Sequence, residues 1–144
     1  MAEENLADKY LNELKRAKAD FINYQKDENR RLEEFVKFAN AGLLLEFLPV
    51  LDSWAEFEKT NKDAGILAIK SQLEGILKKQ GLEKITISEG QTFDPLYHES
   101  VEEIESDQPQ NVILEEVLAG YALNGRVLRP SRVKISKGSK VKNL

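Results

Sequence analysis

Few residues in this chain could carry covalent or acid–base chemistry. His98 is the only histidine and there is no cysteine, so disulfides, thiolate metal sites and cysteine nucleophiles are excluded. Glu99 follows His98 directly, and neighbours in a strand point to opposite faces, which prevents them from acting as a pair. No glycine-rich phosphate loop ending in Gly-Lys-Ser/Thr is present, and no histidine pair has metal-binding spacing. His98 reads as a packed or turn-bonded residue. No catalytic residue, metal or cofactor is expected, and the chain does not read as an enzyme.

Charge offers recognition chemistry instead. Between Ile85 and Gly125 there are nine acidic residues and no lysine or arginine, whereas Arg126 to Leu144 holds seven basic residues and no acidic one. Two readings follow: solvated sheet faces with a flexible basic tail, or a charged partner interface. Arg126 directly follows Asn124-Gly125, a pair suited to the two positive φ angles of a type I′ turn. A guanidinium on such a rigid turn offers several fixed donors to an acidic or carbonyl-rich patch. The stretch Arg126–Lys142 lacks the aromatic residues that stack bases, so nucleic acid is not an expected partner.

The elements that must position these groups fall into three segments. From Glu3 to about Phe47 there is no proline, and Gly42 is the only glycine. Seven-residue spacing links Ala7, Leu14, Phe21 and Phe35, and a second series links Tyr10, Ala17, Tyr24 and Phe38. Glu28 and Arg31 interrupt the two seams, so the pattern is a long helix with a polar-broken coiled-coil stripe. Such a rod is expected to loosen reversibly on heating. About 45 residues at ~1.5 Å each extend roughly 65 Å, against a radius of gyration of about 15 Å for a compact chain of this size. The stripe therefore calls for a second copy, and a homodimer is expected.

In the next segment Leu44, Leu48, Leu51 and Trp54 mark one helical face, disturbed at Pro49, where a kink or new helix start is expected. The polar run Lys59–Gly65 is a turn in which Asn61 or Asp63 can cap a following helix. Ile66, Ile69, Leu73, Ile76 and Leu77 form its stripe and Gly81 ends it. Doubled across a dimer, two such helices make a four-helix bundle. After Gly81 the period shortens. Strands are expected at Ile85–Ile87, around Val101–Ile104, at Val112–Leu118 and at Arg126–Ser136, with a hairpin across Asn124-Gly125. The organisation expected is α+β: a dimerising helix (1–47), a bundle segment (48–81), a small all-β domain (82–138) and a basic tail (139–144).

The third segment carries a recognisable signature. Phe93-Asp94-Pro95, His98 and Ser100-Val101 are followed by Gly120-Tyr121, Gly125, Leu128-Arg129, Ser131, Val133 and Ile135. Together with Leu48-Pro49-Val50-Leu51-Asp52-Ser53 upstream, this pattern resembles the GrpE family over nearly the whole chain. Ser100 stands where that family usually has alanine. The resemblance implies a dimer with a long paired helix, a four-helix bundle and two small β domains. It also implies a nucleotide exchange factor that binds the nucleotide-binding domain of a DnaK-type chaperone and opens its cleft for ADP release, in protein folding and the heat-shock response. Arg126, the Phe93-Asp94-Pro95 loop and Gly65 match positions at which the family contacts its chaperone or is sensitive to substitution. Leu14, Phe21, Tyr24, Phe35, Phe38, Leu48, Leu51, Ile69 and Leu73 are the dimerisation residues expected. Gly120 and Tyr121 read as structural residues fixing the hairpin entry.

A coiled-coil scaffold or holdase without exchange activity is the competing reading; it explains the helix and leaves the β signature unexplained. The acidic, polar N-terminus is unlike a secretory signal, and no apolar run approaches the ~20 residues that span a bilayer. A cytoplasmic protein without a membrane partner is expected.

Overall fold

In the computed structural model, which describes residues 2–139, the chain divides at Ala39–Asn40 into two separate units. The first is one helix, α1 (Ala2–Phe38). It opens with Glu3 and Glu4 and ends near Lys37, charges placed to complement the helix dipole. From Glu3 onward almost every side chain is exposed, including Leu14, Phe21, Tyr24 and Phe35. Glu28 and Arg31, which break the apolar seams, pair through one guanidinium edge, Nη2 and Nε donating to the two carboxylate oxygens at 2.5 and 3.1 Å.

The second unit begins with α2 (Ala41–Glu58) and α3 (Ala64–Lys79). The long N-terminal helical run is thus interrupted at Ala39–Asn40, and α2 continues through Pro49, so of the kink or new start expected at the proline the new start does not occur. Asn40 and Gly42 are weak helix formers. At Pro49, burial of Leu44, Leu48 and Leu51 along one face of α2 offsets the roughly 3 kcal/mol cost of an internal proline. Asp63 caps α3, its carboxylate accepting from the amides of Gly65 (2.8 Å) and Ile66 (3.2 Å). Gly81, with φ +93°, ends α3 in the left-handed conformation that glycine tolerates.

Six strands follow among the described residues: β1 (Leu82–Lys84), β2 (His98–Ile104), β3 (Ile113–Leu118), β4 (Tyr121–Leu123), β5 (Arg126–Arg129) and β6 (Ser131–Ser136). The fold is α+β, with the strands in two small sheets. One is antiparallel in the order β1-β4-β5; the other runs β2-β6-β3, with β2 parallel and β3 antiparallel to β6. The first strand pairs through Leu82–Lys84, just before the Ile85–Ile87 run expected to form it. In β6, Val133 and Ile135 are buried while Arg132 is exposed, the predicted alternation. These two residues form a core with Ile113, against which Ile87 and Phe93 pack.

The charge segregation has a local cause. Basic β6 lies between acidic β2 and β3, and Arg132–Glu99 (3.7 Å), Lys134–Glu102 (3.6 Å) and Lys134–Glu115 (3.4 Å) span the ladders. Each such pair adds at most about 1 kcal/mol, but like charges facing one another are avoided. Residues 140–144 of the expected basic tail lie outside the described residues.

Candidate partner-binding site

The hairpin that presents Arg126 is built as its sequence suggests. Asn124 (φ +47°) and Gly125 (φ +85°) are both left-handed, as a type I′ turn demands. The turn is latched to the end of α3: the Asn124 amide donates to the Gly81 carbonyl at 2.9 Å. Its side chain lies so close that a Cβ on Gly81 would fall 2.1 Å from Asn124 Oδ1. Arg126 is exposed at the start of β5.

Phe93-Asp94-Pro95 forms the loop before β2. The Phe93 amide donates to the Asn111 carbonyl at 2.8 Å, and its ring lies against the sheet core. Asp94 is fully engaged in the turn. Its carbonyl accepts from Tyr97 and His98, its carboxylate accepts from the Leu96 amide, and its own amide donates to His98 Nδ1 at 2.9 Å. His98 is buried between Phe93 and Tyr97, with ring centroids 6.0 and 6.4 Å away. It is thus the packed, turn-bonded residue anticipated, while Glu99 is exposed. Pro95, Leu96 and Tyr97 are exposed at the loop surface.

This loop is tied to the start of β6, two residues beyond β5. The Tyr97 carbonyl accepts from the Ser131 amide at 2.9 Å, and Ser131 Oγ accepts from the Gly120 amide at 3.1 Å. Gly120 leaves no room for a side chain, since a Cβ there would lie 2.4 Å from Ser131 N. Arg126 and Ser131, the residue that bonds this loop, are therefore five residues apart, at most about 18 Å of extended chain. Gly65 is placed elsewhere, exposed in the first turn of α3. The β strands join α3 at its opposite end, about 24 Å along the 16-residue helix.

The residues expected to dimerise divide in two. Leu14, Phe21, Tyr24 and Phe35 on α1 and Ile69 on α3 are exposed; Phe38 and Leu73 are half-buried. Leu48 and Leu51 are only 1% and 7% exposed within one protomer, so their burial needs no second copy.

Sequence reasoning assigned no role to Asp52 and Arg129. Arg129 forks onto the Asp52 carboxylate of α2, with Nη1–Oδ2 2.7 Å and Nη2–Oδ1 2.5 Å. Its Nε donates to the Ala119 carbonyl at 2.8 Å, and its guanidinium lies 5.5 Å from the Tyr121 ring centroid. Burial first, and Asp52 and Glu74 nearby, raise the Tyr121 pKa above its ordinary 10.0; Arg129 opposes them. On the helices, Lys70 of α3 reaches Glu58 of α2 at 2.6 Å and Glu74 at 3.5 Å. Burial pulls the Lys70 pKa down, but these two carboxylates outweigh it and the net shift is upward. Asp52 and Arg129 both belong to quoted sequence motifs, yet their 77-residue separation hides the pairing.

The chain thus combines a long exposed helix with a compact unit that presents an arginine from a rigid turn. Comparison with known proteins identifies its family. Residues 1–137 match the GrpE family. The chain is 35% identical over 143 residues to Protein GrpE of Bacillus velezensis, covering 93% of this chain and 74% of that one. It is 40% identical over 132 residues to Protein GrpE of Thermoplasma acidophilum (92% and 72% covered), and 37% identical over 136 residues to that of Methanosphaera stadtmanae (89% and 76%). The chain belongs to the GrpE family of cochaperones, whose general role is nucleotide exchange.

Proposed function

We propose that two copies of this chain associate along α1 and that the dimer binds the nucleotide-binding domain of a DnaK-type chaperone, favouring its open cleft and so accelerating ADP release. The observation that carries this reading is Arg126, exposed beside a type I′ turn, in a chain matched to the family along nearly its whole length. The physics is linkage. A protein that binds the open cleft more tightly than the closed one weakens ADP binding by the same factor. ATP binding then closes the cycle by releasing both substrate and cochaperone. No catalytic group is required, only complementarity to one conformation.

In this reading Arg126 is the principal contact, supported by the Phe93-Asp94-Pro95 loop. The hydrogen bonds of Asp94 favour a shape-holding role for that residue, leaving Pro95 and its exposed neighbours as the contact surface. Gly65, remote along α3, belongs to a second contact or to close packing of the bundle. Leu14, Phe21, Tyr24, Phe35, Phe38, Ile69 and Leu73 make the dimer; Leu48 and Leu51 stiffen each protomer. The protein acts in protein folding and the heat-shock response in the cytoplasm; no helix among the described residues is long and apolar enough to cross a membrane.

The exposed α1 stripe alone would equally suit a scaffold or holdase, so the decisive experiment measures exchange. A DnaK-type chaperone loaded with fluorescent ADP is mixed with a substoichiometric amount of this protein. Faster release with turnover is expected, and Arg126→Ala should slow it about tenfold or more while dimer and helix content persist. Unchanged ADP release on adding the wild-type protein would leave the scaffold reading standing.

A further inference from the structure

Two attachments hold the β4–β5 hairpin to the helices. The first is covalent and local: α3 runs through Gly81 into β1, which pairs with β4, and the Asn124 amide bonds the Gly81 carbonyl. A single attachment of this kind leaves a pivot. The second is the Arg129–Asp52 fork, which reaches α2, a helix that meets the strands chiefly at β5. Resting on the exchange reading above, we propose that Arg129 and Asp52 are positioning residues for nucleotide exchange, a strut fixing the angle at which the hairpin presents Arg126.

The strut is a built feature of β5. Residues three apart in a regular strand face opposite ways. Here the ladder runs Leu123↔Arg126, Ala122↔Val127, Tyr121↔Arg129, skipping Leu128. Directly paired residues share a face, so this shift brings Arg129 onto the face of Arg126, Tyr121 and buried Leu123. A bulge that re-aims one side chain commonly serves such a purpose. All three nitrogens of the guanidinium are then used: two on Asp52, one on the Ala119 carbonyl, with Tyr121 beneath. Both side chains are mostly shielded, 18% and 25% exposed, where bidentate pairing is stronger and more directional than at the open surface.

The consequence concerns coupling more than affinity. A hairpin free to pivot can keep its contact with the chaperone while the cleft closes, so it binds open and closed states alike. Equal affinity for two states shifts no equilibrium. Removing the strut should preserve binding to the nucleotide-free chaperone and dissipate the discrimination against the ADP-bound form.

The test uses the full-length protein and compares its dissociation constants for nucleotide-free and ADP-bound chaperone, alongside ADP release at saturating protein. For the wild type a ratio of at least about fivefold is expected. Asp52→Asn should bring that ratio towards one and slow ADP release at saturating protein. Its affinity for nucleotide-free chaperone should stay within about threefold, with melting of the sheets intact. Arg129→Lys, which keeps the charge and loses the fork, should act likewise and serves if Asp52→Asn folds poorly. Asp52→Glu, which restores a carboxylate, should recover part of the ratio. A ratio unchanged in both Asp52→Asn and Arg129→Lys overturns the proposal, as does parallel loss of affinity for both chaperone states. A wild-type ratio of one is a different failure, because it removes the exchange reading on which the strut rests.

Discussion

Helix α1 and the unit that follows it are ordered by opposite means. Residues 40–139 bury Leu48, Leu123 and Val133 to 1% exposure or less within a single chain. Over 37 residues α1 buries no large side chain, and Phe21 and Phe35 stay more than half exposed. Most helical stability in proteins comes from packing of an apolar face. The second unit carries its own stabilisation, whereas the apolar stripe of α1 stays uncovered within one chain; in the dimer proposed above, a second copy covers it. On that proposal the contrast is between concentration-dependent and concentration-independent order.

The sharpest way to break that contrast is to remove the stripe. Phe21→Asp combined with Phe35→Asp withdraws about 2 kcal/mol of burial at each of four rings in a dimer. The dissociation constant should rise at least about a thousandfold, seen as a lone protomer by light scattering, with helical circular dichroism lost from α1. Association at wild-type strength would place the dimer contact elsewhere.

Leu48→Ala probes the opposite pole. This side chain is 1% exposed, so truncation should cost about 2–5 kcal/mol, and the loss should be equal at low and high protein concentration. Chemical unfolding at two concentrations tests this. A concentration-dependent loss would return Leu48 to the dimer interface, where the sequence pattern had grouped it.

Leu48 shows where the sequence is legible. Periodicity reports that a face is apolar, and Leu48 and Leu51 were correctly seen on one. It does not report whether the covering surface belongs to the same chain. The Asn-Gly turn, the Asp63 cap and the Gly81 helix stop were readable because each rests on a few adjacent residues. Of the two outcomes expected at Pro49, a new helix start does not occur, because burial along α2 outweighs the local rule. Arg126 could be singled out beside its turn. The Arg129–Asp52 strut could not, since no local pattern joins residues so distant and the skipped Leu128 reverses the face that alternation assigns to Arg129. Acidic and basic blocks were visible too, but only the ladder order shows β6 lying between β2 and β3.

The smallest effect separates the two regions by pH. In α1 the hydrogen bond from Arg31 leads in lowering the Glu28 pKa below 4.5; slight desolvation opposes it, and the guanidinium charge adds to it. A depressed carboxylate contributes stability that is present above its unfolded value and lost as pH falls through the folded one. In the second unit Lys70 and Tyr121 are both raised, from 10.5 and 10.0. The folded state then holds its protons longer than the unfolded chain, so stability declines as pH climbs beyond about 10. Acid should therefore loosen α1 slightly, and alkali should loosen the contacts around Lys70 and Tyr121. A partly exposed ion pair is worth about 1 kcal/mol or less, so the alkaline fall in the second unit's melting midpoint should be about 5 °C or less. Lys70→Met should flatten the lysine share of this alkaline slope without touching the acid limb of α1. An alkaline slope that survives both Lys70→Met and Tyr121→Phe would assign the titration to other groups and remove this distinction between the units.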